Sequence, residues 1–130
     1  MCFFRRGKRA IIVVYENEGG CIERISNKLV RDNIPNIIKE NGEVPITRIL
    51  TDEEYKKELE KKLDEELQEV LEATGKDRIE ELADMLEVIK ALAKLENASF
   101  SDVVKVADEK CDKRGGFEDK IFLEKVVDKE

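Results

Sequence analysis

Two acidic segments contain the residues whose spacing is best suited to chemistry. Glu66 and Glu69 form one acid-x-x-acid pair, and Glu81 and Asp84 form a second. Residues three positions apart lie on the same face of a helix, so each pair directs two carboxylates the same way. Four carboxylates in one place repel each other, and a divalent cation compensates that repulsion. The spacing therefore predicts a metal site.

The helical positions of these acids distinguish them from ordinary surface charge. With about 100° per residue, Glu66 falls about 20° from Leu59, inside the apolar stripe of its helix, and Glu69 lies at the edge of that stripe. Glu81 falls on the apolar side of the next helix, and Asp84 borders it. A carboxylate among apolar neighbours is costly unless it is compensated. One such pair is usually part of a solvated face. Two at compatible positions are less easily explained by chance, so the pattern leaves a metal site and a solvated acidic face both open.

The absence of histidine restricts the chemistry of this site. With no His in the chain, imidazole acid–base catalysis, typical zinc sites and the Glu-x-x-His motif of di-iron bundles are excluded. The metal ligands must then be oxygens, which suits Mg²⁺ or Mn²⁺.

The composition favours helices and excludes several classes of partner. Charged residues make up 42% of the chain and aromatic residues 5%, a balance typical of long helices with charged faces. A net charge of −7 argues against nucleic acid as the partner. No apolar run reaches the roughly 18 residues of a membrane span. Cys2, Cys21 and Cys111 form no C-x-x-C motif, so we expect reduced thiols and a cytoplasmic location.

Capping residues mark the two helices that position the acids. Thr51 and Glu54 form a capping box that begins a long helix, which we expect Gly75 to end. Asp77 and Glu80 are expected to begin a second long helix in the same way, over about residues 78–96. The short connection between the two helices makes them antiparallel neighbours.

Shorter helices are expected on either side of this pair. Pro35 suits the first turn of a helix that ends at Gly42, and Ser99 begins a last helix that ends at Gly115. In the tail Phe117–Val127, the apolar segment Ile121-Phe122-Leu123 is expected to dock on the bundle.

The chain is expected to form an all-α antiparallel helical bundle over residues 26–130. Residues 1–25 are expected to be an N-terminal appendage that contains one short strand within Ala10–Tyr15 and a turn at residues 18–20.

The second long helix has a wider apolar surface than one contact requires. Its apolar arc spans about 240°, whereas a single amphipathic contact needs a stripe of a little over 100°. A monomer would expose the excess, so we expect a homodimer or a tetramer. Met85, Val88 or Leu92 would lie near the subunit contact.

Several motifs together resemble a known family. They are the acidic pairs within residues 62–70 and 80–84, the segment Asn27-Lys28-Leu29-Val30-Arg31-Asp32-x-Ile34-Pro35, the segment Glu53-Glu54-Tyr55, and the segment Lys113-Arg114-Gly115-Gly116-Phe117. This pattern, from about Ser26 to Glu124, resembles the all-α NTP pyrophosphatase superfamily. That superfamily includes MazG proteins, dimeric dUTPases and phosphoribosyl-ATP pyrophosphatase. The flanking motifs are most similar to a MazG-related, phosphoribosyl-ATP pyrophosphohydrolase-like subgroup.

The resemblance implies a MazG-like bundle that hydrolyses a nucleoside triphosphate to its monophosphate and pyrophosphate. The implied catalytic residues and Mg²⁺ ligands are Glu66, Glu69, Glu81 and Asp84. Polyphosphate binding also needs positive charge. The candidate substrate-binding residues are Lys28, Arg31, Lys110, Lys113 and Arg114. Lys110 and Lys113 have a second interpretation, which is favourable pairing with the negative end of a helix dipole.

Two further interpretations of the sequence remain open. The substrate could be a different phosphoanhydride, such as phosphoribosyl-ATP, instead of an ordinary nucleoside triphosphate. Alternatively, the chain could be a non-catalytic helical regulator of the same fold. Loss of an acid from the quartet would favour the regulator, but all four acids are present.

Overall fold

The computed structural model describes residues 13–16 and 22–129. Its elements are two strands, β1 (Val13–Glu16) and β2 (Ile22–Ile25), and four helices, α1 (Ile34–Glu40), α2 (Asp52–Glu72), α3 (Gly75–Leu95) and α4 (Phe100–Arg114). The predicted all-α fold with a short N-terminal strand is confirmed. None of the described helices combines the length and the apolar character that crossing a membrane requires.

The predicted strand has a partner that the sequence did not reveal. β1 pairs antiparallel with β2, so that Val13 lies opposite Ile25 and Glu16 opposite Ile22. Arg24 of β2 forms an ion pair with Glu43, which follows α1. This contact ties the second strand to the helical part of the chain. Residues 10–12 and the expected turn at 18–20 lie outside the described residues.

The beginning of α2 agrees with the predicted capping box. The Thr51 hydroxyl accepts a hydrogen bond from the Glu54 backbone N–H at 3.2 Å, and a Glu54 carboxylate oxygen accepts one from the Thr51 N–H at 3.2 Å. This reciprocal pair satisfies two backbone donors that the first helical turn would otherwise leave without partners. This cap fixes the residue at which α2 begins, and therefore the faces of the helix on which its acidic side chains lie.

The predicted boundary between the two long helices is wrong in detail. Gly75 is the first residue of α3 with a φ of 57°, a left-handed conformation that suits glycine, and Thr74 is the N-cap. Asp77 therefore lies in the first turn of α3 and does not cap it. The reason is that the chain needs only two extended residues, Ala73 and Thr74, to reverse its direction. Such a tight connection places α3 directly against α2.

The core lies between α2 and α3, which make the most extensive helix–helix contact in the described chain. Its buried apolar residues are Leu59 and Val70 of α2 with Val88 and Ala93 of α3. The subunit contact stays a prediction, but Val88, one of the three residues expected near it, is buried inside the single chain, and Met85 and Leu92 are partly buried. The reason is that Glu81, Asp84 and Val88 follow one another along one helical face, which is directed inward.

The prediction that the tail docks on the bundle is wrong. Phe117 is 100% exposed and Phe122 is 87% exposed. α4 packs on α3 and on no other described helix or strand, through its half-buried N-terminal residues Phe100 and Val103. Its C-terminal half is exposed. The tail begins at Gly115, at this exposed end of α4, where no apolar surface of the described chain lies beside it.

The capping box of α2 gives a testable dependence on pH. Arg48 donates hydrogen bonds of 3.2 and 2.9 Å to the two carboxylate oxygens of Glu54. These bonds, followed by the one from the Thr51 backbone, lower the pKa of Glu54 from 4.5 to about 2. The folded-state pKa is thus below the ordinary value. Glu54 therefore stabilises the fold above pH 4.5, and this contribution is lost as the pH falls toward about 2.

We expect an NMR titration of the wild-type protein to show a Glu54 midpoint near 2. Arg48→Ala removes the largest cause of the shift, so it should move the midpoint toward the ordinary value. A wild-type midpoint near 4.5 would contradict the capping geometry.

Candidate metal centre

The four predicted acids are buried. The exposed fractions are 3% for Glu66, 7% for Glu69, 3% for Glu81 and 5% for Asp84. Other acids on the same helices, such as Glu65 and Glu87, are more than half exposed. Carboxylates are almost never fully buried in proteins unless they are paired or bind a metal. The helical positions therefore separated these four residues correctly from the solvated face.

Three of the four acids meet across the interface between α2 and α3. One carboxylate oxygen each from Glu66, Glu81 and Asp84 lies within 4.8 Å of the other two. Glu66 comes from α2, whereas Glu81 and Asp84 come from adjacent turns of α3. The tight reversal at residues 73–74 sets the two helices side by side, so that these oxygens face each other. We call Glu66, Glu81 and Asp84 the acidic triad.

Glu69 is buried but is not part of this triad. The sequence predicted four equivalent ligands, because Glu69 follows Glu66 at the same spacing that relates Asp84 to Glu81. Helical spacing fixes the face on which a side chain lies, but it does not fix the distance to the opposite helix. The structure therefore distinguishes three converging carboxylates from one neighbouring carboxylate.

The donor set of the triad fits a small divalent cation. Ligand oxygens on opposite sides of Mg²⁺ are separated by about 4.2 Å, twice a bond length of about 2.1 Å. Oxygens that all lie within 4.8 Å of each other can therefore reach one ion after small side-chain movements. Three buried carboxylates at this spacing also repel each other, and a cation relieves that repulsion. All the ligands are hard oxygens, which Mg²⁺ and Mn²⁺ prefer.

Arg31 contacts the triad, although the sequence placed it with the substrate phosphates. Its Nη2 atom donates a hydrogen bond of 2.6 Å to Asp84 Oδ1. Arg31 lies in the turn that precedes α1, where its carbonyl oxygen accepts a hydrogen bond from the Ile34 N–H at 3.0 Å. The turn thus holds the start of the Arg31 side chain beside α3. The sequence predicted a role for Arg31 in phosphate binding, which stays a prediction, and it did not reveal Asp84 as the partner of Arg31.

The remaining basic candidates lie in two different parts of the chain. Lys28 is partly buried shortly before Arg31. Lys110, Lys113 and Arg114 are exposed near the end of α4, and within the described residues they form no ion pair or hydrogen bond with the triad. Lys113 and Arg114 occupy the last turn of α4, where positive charge is favourable for the helix itself. Their role in substrate binding stays a prediction.

Comparisons with known proteins provide little further information. No protein-family model matches the chain, and no solved structure matches it. The chain is similar to an uncharacterized protein of Mycolicibacterium smegmatis, with 46% identity over 50 residues, which is 38% of this chain. It spans about half the length of this relative, 51%. This similarity assigns no activity.

The triad predicts that a divalent cation stabilises the folded protein. Because ligands that bind only the native state raise its stability, Mn²⁺ or Mg²⁺ should increase the melting temperature of the wild type. Glu81→Gln removes one buried ligand charge and should abolish most of this increase. The measurement is thermal unfolding followed by circular dichroism, with and without the metal.

Glu87→Gln is the matched control for this test, because Glu87 lies on the same helix but is exposed and faces Lys90. It should keep the full metal-dependent increase. Equal responses of the two variants would show that the metal acts at dispersed surface charges.

Proposed function

We propose that this protein is a Mg²⁺-dependent nucleoside triphosphate pyrophosphohydrolase of the house-cleaning type, which releases a nucleoside monophosphate and pyrophosphate. The observation that carries the proposal is the burial of three carboxylate oxygens within 4.8 Å of one another. The motifs that resemble the all-α NTP pyrophosphatase superfamily supply the reaction. Mn²⁺ is proposed as an alternative metal, and the cytoplasm as the location.

The proposal assigns different tasks to the buried acids. Glu66, Glu81 and Asp84 would hold the metal, which when bound neutralises phosphate charge and acidifies a water molecule. Glu69 lies on the same face of α2 as Glu66, but it is not part of the triad. We propose that it orients the attacking water by accepting a hydrogen bond from it. The helix interface restricts these side chains, so that little reorganisation is needed when substrate binds.

Positive charge for the polyphosphate would come from outside the α2–α3 interface. Arg31 is beside the acidic triad, so we propose that it contacts the phosphates. Lys28 precedes it in the same segment. Lys110, Lys113 and Arg114 would contribute if the substrate extends toward α4. Guanidinium groups can bind phosphate oxygens through two parallel hydrogen bonds, whereas lysine acts as a point charge.

We expect purified protein with Mg²⁺ to release pyrophosphate from at least one nucleoside triphosphate. Substitution of a triad residue, as in Glu66→Gln or Asp84→Asn, should reduce kcat/KM by at least about 100-fold, because ligands of one metal act as a unit. Glu69→Gln should lower kcat and leave metal affinity nearly unchanged. Product analysis by ³¹P NMR, without added pyrophosphatase, checks the site of cleavage.

A panel of substrates that contains nucleoside triphosphates and phosphoribosyl-ATP separates this proposal from its alternatives. Orthophosphate as the first product would contradict cleavage at the α-phosphorus. Turnover of phosphoribosyl-ATP alone would identify the second phosphoanhydride substrate. Absence of turnover on the whole panel, in protein that binds metal normally, would favour a non-catalytic regulator.

We also propose that the protein is a homodimer or a tetramer. Exposed apolar residues continue along both long helices, at helical spacing on each. They are Leu67 and Leu71 on α2, and Ile79, Leu82 and Leu86 on α3. We propose that these residues form one apolar patch of the kind that often marks protein–protein contacts, and a two-fold axis would cover the same patch on both copies.

Leu82→Glu places a charge within this patch and should shift the protein toward the monomer in light scattering at micromolar concentration. Ile46→Glu is the matched control, because Ile46 is 92% exposed and lies between α1 and α2. It should leave the mass unchanged. A monomeric wild type would contradict the assembly proposal.

A further inference from the structure

The two side chains of the ion pair between Arg31 and Asp84 differ strongly in their exposure to solvent. The Arg31 side chain is 56% exposed, whereas the Asp84 side chain is 5% exposed. Asp84 is fixed on α3 inside the helix interface, while Arg31 extends from a turn outside any helix. The guanidinium can therefore leave this contact by rotating its own side chain into solvent, whereas the carboxylate cannot follow it.

The same carboxylate is required by two different cations. Asp84 contributes an oxygen to the acidic triad, and its Oδ1 atom accepts the 2.6 Å hydrogen bond from Arg31. A positive charge on this carboxylate lowers the negative potential that attracts a metal ion. The binding of either cation to Asp84 therefore weakens the binding of the other.

We infer that Arg31 exchanges between two anionic partners, Asp84 in the metal-free protein and substrate phosphate in the metal-loaded protein. This inference rests on the proposed function, since it needs a divalent cation at the triad. Once a divalent cation compensates the charge of the triad, Asp84 attracts the guanidinium less strongly. Arg31 can then bind phosphate oxygens at the solvent-exposed edge of the site. Metal loading and phosphate binding are thereby coupled through one side chain.

If Arg31 only supported the metal ligands, its removal would change the metal affinity in the opposite direction. Residues that hydrogen-bond to metal ligands often orient them, and their removal weakens metal binding. If Arg31 competes with the metal instead, its removal strengthens metal binding in the absence of substrate. The sign of the change in metal affinity therefore distinguishes the two roles.

The test is calorimetric titration of Mn²⁺ into the protein without nucleotide. Arg31→Ala should bind Mn²⁺ about two- to fivefold more tightly than the wild type, in line with the strength of a partly exposed ion pair. Arg31→Lys, which keeps the charge, should lie between them. Arg48→Ala is the matched control, because Arg48 is also an exposed arginine paired with an acid, but its partner is Glu54 at the start of α2. It should leave Mn²⁺ affinity unchanged.

Inorganic pyrophosphate, titrated into the Mn²⁺-saturated protein, tests the second partner. Arg31→Ala should bind pyrophosphate at least about fivefold more weakly than the wild type, since a charge-assisted contact is lost. The inference thus requires one substitution to strengthen metal binding and to weaken phosphate binding. The circular dichroism of each variant confirms that the helices remain folded.

Other outcomes overturn the inference in distinguishable ways. Unchanged or weaker Mn²⁺ binding by Arg31→Ala, with Asp84→Asn still losing affinity, would refute the exchange and leave the metal site intact. Unchanged pyrophosphate affinity would refute the second partner. A wild-type protein that binds no Mn²⁺ would refute the exchange together with the proposed function.

Discussion

The main physical constraint on this structure is the burial of four carboxylates where two long helices pack against each other. Of the eight buried residues in the described chain, four are the apolar Leu59, Val70, Val88 and Ala93, and four are acids. Apolar packing of this extent supplies little stability to offset the desolvation of so much charge. Natural proteins tolerate such a conflict mainly at functional sites. The acids therefore provide a stronger argument for function than for folding.

The sequence predicted the parts of the structure that local rules control. The Thr51–Glu54 capping box depends on residues three positions apart, and the burial of Glu66 and Glu81 follows from the helical period of 3.6 residues. The end of α2 was harder to predict, because Gly75 is suited both to ending a helix and to beginning the next with a positive φ. The acidic residue Asp77 then resembled a cap, although it lies inside the first turn of α3.

Relations between distant segments could not be read from spacing. Arg31 and Asp84 are 53 positions apart, and no periodicity connects a turn before α1 to the middle of α3. The distinction between Glu69 and the acidic triad likewise depends on the distance between helices. The exposed tail shows a similar limit, because Phe122 belongs to an apolar segment with the composition of a docking segment but is 87% exposed. In each of these cases the prediction required contacts between segments that are distant in the sequence, and residue spacing does not give such contacts.

The most direct test of the central claim is a crystal structure of the protein grown with Mn²⁺, with the ion located by its anomalous scattering. Our account predicts one strong peak bonded to oxygens of Glu66, Glu81 and Asp84, with Arg31 moved away from Asp84. Anomalous density confined to exposed acids such as Glu65 and Glu87, with the acidic triad free of metal at saturating Mn²⁺, would contradict it.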